Sequence, residues 1–383
     1  MADFKAWVVV AALALSGCTA ARADAPAETA QATGWVQVTP PPTRLDGRLY
    51  QATCSEAAGT DPAYRFWFRR GTADGLVIFF DGGGACWDDI TCAIPRRREA
   101  ERDDDGFYKA ELIPTDTPDR FNGIFDLSNP RNPVRDWSFV YVPYCTGDVH
   151  SGSNTATYTD PDTGAPYRIE HRGADNFRVV LNWMKDNFSQ PQRILVAGSS
   201  AGAYGASTHY ARIRAAFPRG QALMFGDAGQ GVMTQAFLDQ RNTSWRFALP
   251  REVFSRNTRL TPDTDIVARL AARYPRDRFA QYTTAHDITQ SSFYALMGAE
   301  NACMAWTSAM VTDLEERQRA DNFRSYLASG ETHSILRTPR FYTEQSGGAP
   351  LAEWLAAALS ADGAGWENRA CQDCMVRPTR CAY

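Results

Sequence analysis

The sequence predicts an α/β fold, a mostly parallel sheet flanked by helices with loop insertions. Three observations predict it: short runs that are apolar without interruption, amphipathic helical patterns between them, and glycine-rich turns at the ends of the runs. Leu76–Phe80 is the first such run, stopped by Asp81-Gly82-Gly83-Gly84. Trp137–Pro143, Arg193–Gly198 and Ala222–Gly226 follow, and Arg278–Thr284 is a further candidate strand. A strand apolar at every position is buried on both faces, which a parallel sheet covered by helices requires. Between runs, Asn176–Asn187 places Phe177, Val180, Leu181 and Met184 at three- and four-residue spacing, one apolar helical face. Ala201–Phe217 opens with small residues and continues through Tyr210, Ile213 and Phe217. Strand alternating with helix is the signature of an α/β sheet. The stretch from Cys92 to Pro133, rich in Asp, Arg, Asn and Pro, reads as an insertion outside the core.

The chain has 383 residues, 44% hydrophobic and 22% charged, enough for one large domain with a sizeable core. Its formal charge of −4, and a basic cluster Arg96-Arg97-Arg98 that runs into Glu99 and Glu101, argue against nucleic acid as a partner. Residues 1–18 read as a processing signal. Lys5 precedes an apolar stretch, Ala6–Leu15, too short to span a bilayer, and Leu15-Ser16-Gly17-Cys18 has the pattern of a bacterial lipobox. Residues 19–34, mostly Ala, Thr and Glu, predict a flexible tether, leaving 35–383 as a single catalytic domain. An exported monomer is expected, held in the outer membrane or periplasm through a lipid on Cys18.

Of nine cysteines, Cys18 belongs to the lipobox, and the remaining even set in an exported chain predicts disulfides. Cys86 and Cys92 bracket a short loop and are the first expected pair. Cys371-x-x-Cys374 with Cys381 has zinc-like spacing, but no histidine lies near and an oxidising compartment favours disulfides.

The chemistry centres on Gly198-Ser199-Ser200-Ala201-Gly202, a G-x-S-x-G sequence between a predicted strand and a predicted helix. In that setting the serine sits on a sharp turn with its hydroxyl presented above the sheet, the nucleophile elbow of an α/β-hydrolase-like fold. Ser200 is therefore the expected nucleophile, with Ser199 one position out of register. The earlier turn Asp81-Gly82-Gly83-Gly84-Ala85-Cys86-Trp87 suits an oxyanion loop, so the N–H groups of Gly83, Gly84 and Ala201 are the expected oxyanion donors. A phosphate-cradling loop is the rival, but no Gly-Lys-Ser/Thr follows. Of five histidines, His333 alone lies in a late polar loop, the expected place of the base given the chain order serine, acid, histidine. Asp227, Asp263, Asp265, Asp277 and Asp287 lie between. Asp227 ends a strand, and Asp287 follows the next and is favoured modestly by topology. Trp87, Tyr144 and His150 are candidates to line a substrate cleft. No metal or cofactor is implied.

These residues resemble the pectin acetylesterase and Notum family of α/β-hydrolases. The shared features are Asp81-Gly-Gly-Gly-Ala-Cys86, Tyr144-Cys145-x-Gly147 with Ser151-Gly152, Arg172-Gly173, the elbow, Asp227-Ala-Gly229, Asp287-x-x-Gln290 and His333. The acid-x-x-Gln pattern implies that Asp287 is the catalytic acid and Asp227 a structural or supporting carboxylate. Gly84 and Ala85 stand where relatives often carry tryptophan, and the cysteine beside the base in plant relatives is missing here, two departures that leave the acyl group and its carrier open but not the reaction class. The resemblance implies a serine carboxylesterase that removes O-linked acyl groups, acetyl first, from a polysaccharide such as pectin. A lipase or depolymerase for longer acyl chains, and a non-catalytic surface binding protein on the same fold, are the rivals.

Overall fold

The computed structural model describes Met1 and residues 34–93, 95–96, 106–372 and 374. The expected signal, lipobox and tether lie outside the described residues, apart from Met1 and Gly34. Nine strands form the central sheet: β1 (Val36–Val38), β2 (Phe66–Arg69), β3 (Gly75–Phe80), β4 (Ser138–Val142), β5 (Arg193–Ser199), β6 (Gln221–Asp227), β7 (Arg278–Thr284), β8 (Phe323–Ala328) and β9 (Arg369–Ala370). Their order is β1-β2-β4-β3-β5-β6-β7-β8-β9. Strand β2 runs antiparallel to both β1 and β4, and every other neighbouring pair is parallel.

The apolar runs form strands because each face of the sheet has its own core. In β3, Leu76, Ile78 and Phe80 enter one core while Val77 and Phe79 enter the other. The same alternation carries Ile194 and Val196 to one side and Leu195 and Ala197 to the other. At about 1.5–3 kcal/mol for each large apolar side chain removed from water, this two-sided burial fixes the register, since a one-residue slip exchanges the faces. The first core is closed by α1 (Gly173–Asn187), α2 (Ala201–Ala216), α4 (Ile266–Arg273) and α6 (Ala302–Arg317), through Val180, Ile213, Leu270 and Met310 among others. The second is closed by α7 (Leu351–Leu359), with Trp354 and Leu355, and by the loop residues Ile124 and Phe125. Two further helices, α3 (Gln235–Trp245) and α5 (Ile288–Leu296), bring Phe237 and Phe293 to the pocket beside Ser200.

The described part of the stretch expected to be an insertion is not outside the core. Ile124 and Phe125 are buried against Phe79 and Phe139, so two apolar residues in a polar segment close one face of the sheet.

Disulfides join Cys86 to Cys92, Cys54 to Cys145, and Cys371 to Cys374. The Cys371–Cys374 bond removes the thiolates that zinc would need. Among the described residues, the one cluster with metal-ligand atoms is Cys86, Cys92 and His171, and its cysteines are oxidised. No helix among the described residues is long and apolar enough to cross a membrane.

Candidate active site

The site is assembled at the C-terminal ends of β3, β5, β6, β7 and β8, where an open α/β sheet places its ligand crevice. Ser200 occupies the turn from β5 into α2 with φ 57° and ψ −125°, a strained conformation for a residue with a side chain. Close packing holds it there. A Cβ on Gly198 would overlap the Gly202 carbonyl, and one on Gly202 would overlap the Phe80 carbonyl, so strand, elbow and helix approach more closely than alanine permits. The Ser200 N–H donates to the Asp227 carbonyl at 2.7 Å.

Three carboxylates organise the loops around Ser200. Asp227, at the end of β6, is fully buried and accepts from Ser199 Oγ at 2.5 Å and from the N–H groups of Ile335 and Leu336 at 3.0 Å. Burial pushes its pKa up, against the pull of the Ser199 bond. It therefore ties the elbow to the loop carrying His333. Asp81, ending β3, meets Arg337 of that loop in an ion pair and lies 4.0 Å from Lys109 Nζ. Burial pushes the Asp81 pKa up, but Arg337 and Lys109 outweigh it and hold the carboxyl below its ordinary value. Asp287, after β7, caps α5 through the Gln290 N–H at 2.9 Å, and the Gln290 side chain donates to it at 3.0 Å. The cap is the physical basis of the Asp-x-x-Gln spacing.

His333 Nδ1 lies 2.8 Å from Asp287 Oδ2, and the carboxylate is inaccessible to water. An ionised carboxylate only accepts, so the ring carries its proton on Nδ1 and leaves a lone pair on Nε2. That Nε2 makes no hydrogen bond among the described residues, and His333 and Ser200 line the same cleft. The structure thus brings Ser200, His333 and Asp287 to one place.

Gly83 (φ 159°) and Gly84 (φ 75°) lie beside Ser200, and at Gly84 an added Cβ would overlap the Phe107 carbonyl. Among the described residues, the N–H groups of Gly83, Gly84 and Ala201 donate to no backbone or side-chain acceptor, whereas Ala85 N–H is taken by Phe107 O at 3.0 Å. The loop is held from behind by the Cys86–Cys92 bond and by His150, whose Nε2–H donates to Asp81 O at 2.8 Å.

Trp87, Tyr144 and His150 do not line the cleft, which corrects the expectation for them. Each is at most 2% exposed. The Trp87 ring packs edge-on against Phe237, Tyr144 Oη accepts the Val149 N–H at 2.9 Å, and His150 supports Asp81. They form the layer behind the glycine-rich loop. His209 is likewise internal, bridging Arg212 and the His150 carbonyl.

Two compartments meet at Ser200 and His333. One is a wide polar cleft of about 660 Å³, walled by Asp81, Lys109, Glu111, Asp116, Arg120 and Arg337. The other is a narrow, mainly apolar pocket of about 50 Å³, lined by Ala85, Val149, Met233, Phe293 and Met297. Sequence reasoning missed this second pocket, because its wall comes from helices and loops distant in sequence and none carries a motif.

A strained serine elbow between strand and helix, on a mostly parallel sheet in this order, defines an α/β-hydrolase-like fold. A family model described as pectinacetylesterase matches residues 44–284, well over half of the chain, and the chain belongs to that family. It is 27% identical over 166 residues to pectin acetylesterase 11 of Arabidopsis thaliana, covering 42% of this chain and 38% of that one. It is 26% identical over 141 residues to the palmitoleoyl-protein carboxylesterase NOTUM of Schmidtea mediterranea, covering 36% of this chain and 24% of that one. These matches span well under half the length of either relative. Among solved structures, the Wnt deacylase Notum from Drosophila superposes with a TM-score of 0.60 at 17% identity, covering 84% of this chain and 94% of that one.

Proposed function

We propose that the protein is a serine carboxylesterase that removes small acyl groups, acetyl above all, from a hydroxylated polymer such as pectin. The observation that carries this reading is the meeting of two unlike compartments at Ser200 and His333. The polar cleft of about 660 Å³ suits a carbohydrate alcohol, and the apolar pocket of about 50 Å³ suits a two-carbon acyl group but not a long chain. The pectin acetylesterases among its relatives support the same choice.

In this mechanism His333 Nε2 takes the proton of Ser200 Oγ as the oxygen attacks the ester carbonyl. Asp287 keeps the other ring proton on Nδ1 and stabilises the imidazolium. The developing oxyanion is met by the N–H groups of Gly83, Gly84 and Ala201, the last at the N-terminus of α2, where the helix dipole adds to them. His333 returns the proton to the departing alcohol, and water then resolves the acyl-enzyme with His333 again as base. We also propose export and a lipid on Cys18, which the disulfides favour, since they persist in oxidising compartments.

The test is hydrolysis of p-nitrophenyl acetate and octanoate by the mature chain beside Ser200→Ala. Acetate turnover that exceeds octanoate turnover and falls at least about 10³-fold in the variant is expected. Activity unchanged in Ser200→Ala refutes the nucleophile, and preference for octanoate favours a lipase-like enzyme instead.

A further inference from the structure

Arg241, on α3, takes no part in this chemistry, yet its surroundings are those of a cation awaiting an anion. The residue is 4% exposed. Among the described residues no carboxylate forms an ion pair with it; Nη1 meets only Met233 Sδ, at 3.5 Å, and Nε makes no hydrogen bond. The rings of Phe247, Phe237 and Trp245 lie 4.1, 5.7 and 5.9 Å from its guanidinium carbon. They offset part of the desolvation through their negative faces, but they do not replace the N–H acceptors that a buried guanidinium lacks. Burial pushes its pKa down to about 9, which still leaves it charged at neutral pH. Its buried neighbour Arg317 is satisfied, with Asp265 at 2.6 Å and Asp313 at 3.7 Å.

Arg241 borders a cavity of about 150 Å³ behind the acyl pocket. The two spaces share Val149, Tyr204 and Met233 as a partition. Two of the acids on the same cavity are engaged by Arg317, and the other two, Asp263 and Glu316, are exposed to solvent. An unpaired buried cation facing a cavity that opens to solvent on its acidic side is a built anion site.

We propose that this cavity binds a small monocarboxylate on Arg241, and that its natural occupant is the carboxylate released from Ser200. The second half rests on the esterase reading above. A neutral acyl group is matched by the apolar pocket, but hydrolysis turns it into an anion that this pocket cannot solvate. Arg241 lies across a partition that includes Met233, an unbranched side chain able to repack. The charge change would draw product out of the acyl pocket and clear Ser200 for the next ester.

The test is titration of sodium acetate, against sodium chloride at equal ionic strength, into the Ser200→Ala chain labelled with 13C at its leucine methyls. A saturable rise in melting temperature and an Overhauser contact between acetate and the methyls of Leu260, which lines this cavity and not the acyl pocket, are expected. Adding Arg241→Met, which keeps an apolar stem against Phe247, should weaken acetate at least about ten-fold. Absence of the Leu260 contact, or equal affinity in the Arg241→Met chain, overturns the site. If Arg241→Met does not fold, the Leu260 contact decides alone. Wild-type turnover of p-nitrophenyl acetate is read separately: its absence with acetate binding intact removes the natural occupant and the esterase reading while the site stands.

Discussion

Replacing either of two buried aspartates, Asp227 at the end of β6 and Asp287 just after β7, by asparagine should have opposite consequences. Asp287 accepts from His333 Nδ1 at 2.8 Å, from Gln290 N at 2.9 Å and from Gln290 Nε2 at 3.0 Å. Asparagine caps a helix as well as aspartate does, so Asp287→Asn keeps α5 and changes stability by less than about 1 kcal/mol. Its amide nitrogen must nevertheless face a donor. Turned towards Nδ1, it selects the imidazole tautomer that carries a proton on Nε2, which cannot take one from Ser200. The equivalent change in a serine protease lowers kcat about 10⁴-fold, close to 5 kcal/mol of transition-state stabilisation, and a loss of that order is expected here. Asp227 serves three donors and touches no reacting atom. Asp227→Asn sets an amide nitrogen against Ser199 or a backbone N–H, costing about 3 kcal/mol of stability, with kcat reduced about 10–100-fold because the elbow and the His333 loop loosen together. Steady-state hydrolysis of p-nitrophenyl acetate and urea unfolding of both variants give the answer. A loss near 10⁴-fold at Asp227 with stability unchanged, beside an active Asp287→Asn, would exchange their roles and refute the assignment.

Phe293→Ala widens the wall between the acyl pocket and the cleft, and should raise octanoate over acetate turnover about ten-fold; an unchanged ratio would remove the pocket as the acyl site. Burial lowers the pKa values of His150 and His171 to about 4 from 6.5, so on acidification the unfolded chain takes up their protons first. Stability from each is complete above about pH 6.5 and falls by about 3 kcal/mol as pH drops to about 4, while Asp148, raised to about 6 by burial, acts in the opposite sense over about pH 6 to 3.8. His171→Gln should therefore flatten the acid limb of stability measured in urea between pH 7 and 4.5, and parallel limbs would contradict the neutral buried histidine. The Cys54–Cys145 bond closes a long loop, with a sequence separation of 91, and its removal by paired Cys→Ser changes should cost about 4 kcal/mol in urea unfolding; a loss below about 1 kcal/mol would show that the unfolded chain is not constrained by it.

The central strands were legible because burial on both faces leaves a plain mark, an unbroken apolar run. Leu76–Phe80, Arg193–Gly198 and Ala222–Gly226 each fall within an observed strand to within a residue or so of its ends. Elements that lack that mark were not read. Val36–Val38 and Phe66–Arg69 are short strands at one side of the sheet, and Phe323–Ala328 carries Arg324 and Ser325 within its run. Ile124 and Phe125 were hidden for a related reason: two apolar residues among aspartates and prolines have no period, and only the assembled sheet shows the face they cover.

At the site, legibility follows whether a residue's role is set by its own turn or by distant partners. The elbow is local, since Gly198 and Gly202 are needed by the packing around Ser200, and Gly84 is needed at φ 75° beside Phe107. Asp287-x-x-Gln290 is also local, a helix cap whose carboxylate keeps a lone pair for His333. Trp87, Tyr144 and His150 were misplaced because a large side chain next to a glycine-rich turn can face either way, and no local rule says which. The tertiary structure turns all three inward, where one buries a ring, one holds Val149 and one props Asp81. The choice between Asp227 and Asp287 has the same character. Asp227 ends β6 and Asp287 lies three residues beyond the end of the neighbouring parallel strand β7, and both are buried. What separates them is the partner that the tertiary structure brings: Asp227 meets Ser199 and the N–H groups of Ile335 and Leu336, whereas Asp287, which already caps α5 through Gln290, meets His333 Nδ1.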